Sequence, residues 1–284
     1  MNVLLAGSTG YLGKHITREL LTRDITTNII VRDKSKVKIE DDKLNIIEAH
    51  VTKAETLKGI CENMDVVIST VGITRQRDGL TYMDVDYQAN ANLIDEARRS
   101  GVKKFIYISV LNGEKLRHLK ICEAKEKLVD YLKSSGLDYC IFRPNGFFSD
   151  MGEFLKMAKS GKVFLFGDGH YKLNPIHGED LAKAVVDAIN QDTKEINIGG
   201  PDMLTQNEIA ELALKAYSKP VKISHLPDWI RKFTLLALRT FTGSKTYGPV
   251  EFFMTTMAME MQAPCFGKHK LEDYFNLGAY KNLT

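Results

Sequence analysis

The chain has 284 residues, 44% of them hydrophobic and 26% charged, with a formal net charge of +3. That balance excludes a disordered chain, and the charge is too small to point to nucleic acid. Four cysteines, Cys61, Cys122, Cys140 and Cys265, are scattered without a CxxC pair and suggest neither a zinc site nor a disulfide framework.

The first six residues, Met1-Asn2-Val3-Leu4-Leu5-Ala6, read as a buried strand. Gly7-Ser8-Thr9-Gly10-Tyr11-Leu12-Gly13 follows at once, and a helix-period segment with Leu12, Ile16, Leu20 and Leu21 starts inside it. Strand, glycine turn and helix N-terminus in that order make a phosphate-binding element. The first amides of a helix lack partners and its dipole end is positive, so an anion is favoured there. Gly7 allows the tight turn, Gly10 the approach of a pyrophosphate, and Gly13 the packing of helix on strand.

Asn28-Ile29-Ile30-Val31 is a second buried strand, with Arg32 directly after it. In dinucleotide folds an acid about 20 residues past the glycines holds the ribose 2′-hydroxyl of NAD, whereas an arginine there pairs with the 2′-phosphate of NADP. Arg32 favours NADP because its planar fork suits phosphate; Asp33 dissents and keeps NAD open. Residues 44–49 and 65–69 are further strands, with a short helix over 54–62 between them. After the second of these comes Thr70-Val71-Gly72, a small-residue turn at the edge where a parallel sheet meets its ligand. Residues 73–84, with Arg75, Arg77 and Asp78, read as a mobile loop over that edge. A helix is expected over 86–100, stopped by Gly101.

Residues 104–109 form a fifth strand ending at Ser109. A basic loop with His118 leads to a helix over 122–135, and a sixth strand over 138–142 runs into Arg143-Pro144-Asn145-Gly146-Phe147-Phe148. Strand and helix thus alternate through six strands, which predicts an α/β Rossmann fold: a doubly wound, mostly parallel sheet covered on both faces.

The texture changes after residue 150. Residues 1–150 read as the dinucleotide-binding core. Within 151–284, residues 174–200 are expected to return to that core and 205–284 to form a small helical cap. Thr205 with Glu208 is a capping box, and His177 opens a helix through Glu179-Asp180-Leu181-Ala182. Residues 227–240 form a basic amphipathic helix. A Met-rich helix over 250–261 follows, with Phe252, Phe253, Met254, Met257, Met259 and Met261. Two core helices of a cap are the plain reading; a greasy substrate tunnel, a subunit interface and a membrane-surface face all remain open. No signal-peptide pattern and no run of roughly eighteen apolar residues is present. The expected location is cytoplasmic, with a membrane-peripheral one as the alternative through 227–262.

These residues together resemble the atypical short-chain dehydrogenase/reductases. The resemblance is carried by residues 7–13, Asp65-Val66-Val67-Ile68-Ser69, Asn92-Leu93-Ile94-Asp95-Glu96-Ala97, Phe105-Ile106-Tyr107-Ile108-Ser109, Arg143-Pro144 and His177-Gly178-Glu179-Asp180-Leu181-Ala182. Within that superfamily the chain looks like the NmrA-like branch. Tyr247-Gly248-Pro249-Val250-Glu251-Phe252-Phe253 is similar to the divinyl-reductase and complex I accessory-subunit relatives. The resemblance implies a seven-stranded sheet with NAD(P) across its carboxyl edge. It implies that Gly7, Ser8, Thr9, Gly10, Tyr11, Leu12, Gly13, Arg32, Thr70, Val71, Gly72, Ser109, Lys125, Pro144 and Phe147 bind the cofactor. Ser109 would lie beside the nicotinamide.

Active members of the superfamily carry Tyr-x-x-x-Lys on the helix after the fifth strand. Lys125 fits the lysine, but Ile121 stands at the tyrosine and cannot donate a proton. Lys125 would hold the nicotinamide ribose, or act as the acid if desolvation lowers its pKa; otherwise it is a surface lysine pairing with Glu123 or Glu126. His118 is a substitute donor, and His177 an ordering residue. The implied function is an NADPH-dependent oxidoreductase of a small hydrophobic substrate. The alternatives are a non-catalytic NADP(H)-binding assembly or redox-sensing protein and, more remotely, a nucleotide-sugar epimerase-like enzyme.

Overall fold

From residue 2 onward, short apolar runs alternate with amphipathic ones, and each apolar run becomes a strand buried by the helices that follow. The computed structural model describes residues 1–74 and 79–283. Arg75, Arg77 and Asp78, read above as part of a mobile loop, therefore lie outside the described residues.

In chain order come β1 (Asn2–Ala6), α1 (Tyr11–Thr22), β2 (Thr26–Val31), β3 (Leu44–Glu48), β4 (Val66–Ser69), α2 (Asn90–Arg99), β5 (Lys104–Ile108), α3 (Lys120–Ser134) and β6 (Asp138–Pro144). There follow α4 (Gly152–Lys159), β7 (Val163–Phe166), β8 (Lys172–Leu173), α5 (Gly178–Asp187), β9 (Glu195–Ile198), β10 (Leu204–Thr205), α6 (Gln206–Ala216), β11 (Ile223–Leu226), α7 (Asp228–Phe241), α8 (Ser244–Thr256) and α9 (Leu271–Leu283). The main sheet has seven strands in the order β3-β2-β1-β4-β5-β6-β9. β1 pairs in parallel with both β2 and β4, so the chain winds one way through β3 and the other way from β4 on. The carboxyl end of β1 is therefore the switch point, where such sheets open a crevice for ligands. This is the Rossmann architecture expected from the sequence.

The chain divides into two compact units, residues 1–143 with 181–196, and residues 144–180 with 197–284. In the first unit, alternate strand residues Leu4, Ala6, Val67, Phe105, Tyr107 and Ile141 share one core with Leu93, Ile94, Ala97, Leu128 and Leu132 from the helices. Val3, Leu5, Ile29 and Ile68, facing the other way, are equally buried, so both sheet faces are covered. In the second unit β11 pairs in parallel with β7, and β10 antiparallel with β8. Asn174 is its polar hub: its amide donates to the carbonyls of Gly200 (3.1 Å) and Ala263 (2.9 Å), and its oxygen accepts from the Ala263 amide (3.1 Å).

Among the described residues, several elements differ from the sequence expectation. The helix expected over 86–100 is a π-helical stretch, Met83–Ala89, that passes into α2. Its wider turn lets buried Asp86 and Asn90 both bond back to the loop after β4. The helix over 54–62 shrinks to a 3-10 turn, Ala54–Leu57, because Gly59 takes a positive φ of 82° and its amide donates to Glu96 (2.7 Å). The Met-rich helix starts at Ser244 and stops at Thr256, with Pro249 inside it. Met261 instead donates its amide to the Lys172 carbonyl (3.0 Å). α9 was not foreseen, although its buried Leu271, Phe275 and Ala279 follow helical spacing.

Candidate cofactor site

Residues 7–13 link β1 to α1. Gly7 has φ +86°, and a Cβ there would stand 2.4 Å from the Thr70 hydroxyl oxygen. A Cβ on Gly13 would stand 2.1 Å from the Gly7 carbonyl oxygen. Both positions are thus closed to any larger residue. Gly10 is the N-cap of α1; no side chain caps that helix and no acid lies in its first turn, so its positive end keeps its capacity for an external anion. Thr9 and Gly10 are exposed beside it, while Ser8 and Leu12 are buried. The cradle fits a dinucleotide's phosphates on geometry alone.

Thr70 locks the neighbouring strand end to this loop, its hydroxyl donating to the carbonyls of Ala6 and Gly7, each at 3.2 Å. The Val71 amide donates to the Ser69 hydroxyl (3.2 Å), and the Asn90 amide group donates to the Val71 carbonyl (3.2 Å). Gly72 lies against a buried ion pair: a Cβ there would meet Asp86 Oδ1 at 2.7 Å and Lys125 Nζ at 3.0 Å.

That pair is the electrostatic centre of the first unit. Lys125 Nζ is 3.0 Å from Asp86 Oδ1 and 5.6 Å from the centroid of the Tyr107 ring. Burial resists the Lys125 charge, but Tyr107 and Asp86 outweigh it and hold the ammonium above the ordinary lysine range. Burial raises the Asp86 carboxyl despite Lys125, and pushes the Tyr107 phenol up to about 12. The Tyr107 hydroxyl is fully buried, and among the described residues Lys125 is the polar group that interacts with it. The net shift of Lys125 is therefore upward although desolvation pulls it down, so the lowered pKa that an acid role requires is not found. Nor is Lys125 a surface lysine on Glu123 or Glu126: Glu123 pairs with Lys120, and Glu126 with Arg143. Ile121 is buried, so no donor occupies the tyrosine position, and His118 is exposed.

Ser109, at the carboxyl end of β5, donates its hydroxyl to Glu126 Oε1 (3.0 Å). Arg143 grips the same carboxylate with two nitrogens, at 2.5 and 3.0 Å, and reaches Glu195 at 3.0 Å. Ser109, Glu126 and Arg143 are all buried, so this network orders the sheet edge. Arg32, exposed just past β2, makes no hydrogen bond or ion pair among the described residues. Asp33 is committed locally: it accepts from the Ser35 amide (3.0 Å) and hydroxyl (2.6 Å), bonds that lower its pKa.

Pro144 and Phe147 belong to the second unit, where Phe147 bridges to Ile176 and donates its amide to Asp150 (3.0 Å). His177 stacks on His269, ring centroids 4.3 Å apart. The donor atoms of His177, Glu179 and His269 lie within 4.8 Å of one another, a spacing compatible with a metal ion. Yet His269 Nδ1 is engaged by Asp180 (2.9 Å), His177 Nδ1 accepts the Glu179 amide (3.3 Å), and stacked rings do not converge their lone pairs. The cluster is a clasp for residues 267–269: Asp180 also accepts the Lys268 and His269 amides, each at 3.0 Å. Burial opposes the Asp180 charge, but these donors prevail and its pKa is lowered. Sequence reading missed Asp86, Tyr107, Glu126 and His269 as members of these networks; only the placing of two polar residues, Asp86 and Asn90, one helical turn apart hinted at any of them.

A parallel sheet with a glycine cradle at its switch point defines a dinucleotide-binding protein. The NAD(P)H-binding family matches residues 7–192, and the chain belongs to it, as an NmrA-like member of the atypical short-chain dehydrogenase/reductases. It is 28% identical to the chloroplastic divinyl chlorophyllide a 8-vinyl-reductase of Arabidopsis thaliana, over 97% of this chain and 76% of the relative. It is 27% identical to the Photosystem II assembly factor Ycf39 of Synechocystis, over 85% of this chain and 74% of that one. Among solved structures, AtPrR2 with NADP+ and (+)pinoresinol superposes with a TM-score of 0.74 at 18% identity, over 97% of this chain and 98% of that one. A nucleoside-diphosphate-sugar epimerase of Staphylococcus aureus does so with 0.71 at 20%, over 97% and 100%. At those identities the structures speak for the fold alone. No described helix is long and apolar enough to cross a membrane.

Proposed function

We propose that the chain is an NADPH-dependent oxidoreductase acting on a small hydrophobic substrate. The observation that carries the NADP preference is the contrast after β2: Arg32 is exposed and has no partner among the described residues, while Asp33 is spent on Ser35. A free guanidinium there suits a 2′-phosphate, and an occupied carboxylate is a poor holder of a 2′-hydroxyl. Gly7, Gly10 and Gly13 hold the pyrophosphate at the start of α1, with Ser8, Thr9, Tyr11 and Leu12 around it. Thr70, Val71 and Gly72 form the adjoining wall. A bound NADPH supplies hydride to the substrate.

Lys125 is the chain's own contribution to the chemistry. Its ammonium, kept charged by Asp86 and Tyr107, bonds the nicotinamide ribose and stabilises negative charge developing on the substrate. With a pKa above the ordinary range it releases a proton only to a strongly basic atom. The sequence resemblance to divinyl chlorophyllide reductase supports reduction, and the 205–284 region is assigned to substrate selection. The test is the ligand retained on purification, identified by mass, followed by NADPH consumption across quinones, enones and imines. Turnover lowered by about two orders of magnitude or more in Lys125→Ala is expected; no turnover on any acceptor overturns the proposal.

A second reading is favoured by buried Ile121: with no phenol at that position, bound NADP(H) serves assembly or redox sensing instead. Similarity to the assembly factor Ycf39 points the same way. Tight NADPH binding without turnover, together with partner capture that changes with NADPH, is its signature.

A further inference from the structure

We propose that the outer face of α7 docks on an anionic lipid surface. Not one residue of this 14-residue helix is fully buried. Trp229, Phe233 and Leu236 are 66%, 65% and 63% exposed, and Phe241 at its end is 84% exposed. At 3.6 residues per turn, Trp229, Phe233, Leu236 and exposed Thr240 fall on one stripe, with Lys232 and Arg239 along its flank. The three apolar residues of the stripe together expose roughly 400 Å², within the range of the largest patch on a monomer, which is often functional.

Charge selects the occupant. Residues 219–251 carry six cations, Lys219, Lys222, Arg231, Lys232, Arg239 and Lys245, against two acids, Asp228 and Glu251. That is +4 in a chain whose total is +3. Arg231 and Lys232 share the single carboxylate of Asp228, at 2.6 and 3.2 Å, and Arg239 pairs with buried Glu251. Lys219, Lys222 and Lys245 are exposed and make no ion pair among the described residues.

A second copy, packed through the same face, would set Lys232 and Arg239 against the same two cations. A globular partner would need a groove to receive a convex ridge. An anionic bilayer interface satisfies both conditions. It yields to a ridge, takes tryptophan and phenylalanine at headgroup depth, and offers negative charge to Lys232 and Arg239 on the flank of the stripe.

The chain has one tryptophan, and it is Trp229. Its emission therefore reports on this face alone. Whole protein is mixed with phosphatidylcholine vesicles containing about 30% phosphatidylglycerol and with pure phosphatidylcholine, then floated. Flotation with a blue shift of Trp229 is expected on the anionic vesicles only. It should weaken at least tenfold in about 0.5 M NaCl. Lys232→Glu should weaken it roughly tenfold. The double variant Phe233→Ser/Leu236→Ser should remain folded by circular dichroism and fail to float. Three results would overturn the proposal: no flotation at low salt, flotation with no change in Trp229 emission, or lipid-free self-association abolished by the double variant.

Discussion

Gly10→Ala separates phosphate binding from the turn that makes it possible. The Cβ it introduces has one close neighbour, the Gly7 carbonyl oxygen at 3.2 Å, and the backbone there (φ −72°, ψ 173°) is open to any residue. Exchanging glycine for alanine at a helix N-cap costs about 1 kcal/mol or less. The variant should therefore unfold within about 1 kcal/mol of wild type. Gly10 is nevertheless exposed at the N-cap of α1, where the pyrophosphate is proposed to lie. A Kd for NADPH raised about 10- to 100-fold is expected, equivalent to about 1.4–2.8 kcal/mol.

Gly13→Ala is the control. Its Cβ would meet Gly7 O at 2.1 Å and Ser8 Cα at 2.7 Å. Both are backbone atoms, so overpacking should cost about 1–3 kcal/mol in stability as well as binding. Urea unfolding and NADPH fluorescence titration of the two variants give the comparison. A folded Gly10→Ala protein with wild-type NADPH affinity would refute the assignment of the pyrophosphate to this loop.

Three further outcomes are expected. Arg32→Ala should weaken NADPH about tenfold or more and leave NADH within about twofold; equal losses for both would remove Arg32 from the 2′-phosphate. Glu126→Ala removes the buried carboxylate from Arg143 and leaves it Glu195 at 3.0 Å as its main partner, so it should cost up to about 3 kcal/mol in urea unfolding, the lower edge for a fully unpaired buried charge; a cost under about 1 kcal/mol would mean that water reaches the pair. Asp180→Asn should lower Tm at neutral pH. The Asp180 pKa in the folded chain lies below its ordinary value of 3.8, so its stabilisation is complete above that pH and fades as pH falls through the folded value. The gap between wild type and variant should close in acid, and a gap independent of pH would show that the carboxylate charge is not what clasps residues 267–269.

Much of the fold was legible in order along the chain, because local patterns carry it. The strands Leu4-Leu5 and Ile29-Ile30 are continuous apolar runs, as strands buried on both faces must be. The Thr205–Glu208 capping box is a contact between residues one turn apart, and it is present as expected. The errors fall where a distant contact overrides a local pattern. Asp86 and Asn90 widen the helix turn to reach the loop after β4, and Lys172 draws Met261 out of the Met-rich helix.

The glycine cradle was determined by sequence alone, since the sterics of a strand, a turn and a helix start are local and only glycine fits at Gly7 and Gly13. The state of Lys125 was decided by tertiary structure. Its partners are a strand residue 18 positions before it and a helix residue 39 before it, Tyr107 and Asp86. No spacing rule links them, and the sign of the pKa shift depends on the balance between burial and those charges. That Arg32 has no partner among the described residues while Asp33 is engaged by Ser35 is likewise a matter of side-chain placement, invisible in Arg-Asp as letters. Sequence determined the glycine turn between β1 and α1; the assembled fold decided which ionised groups pair and in what state, because electrostatics follow distance in space and not separation along the chain.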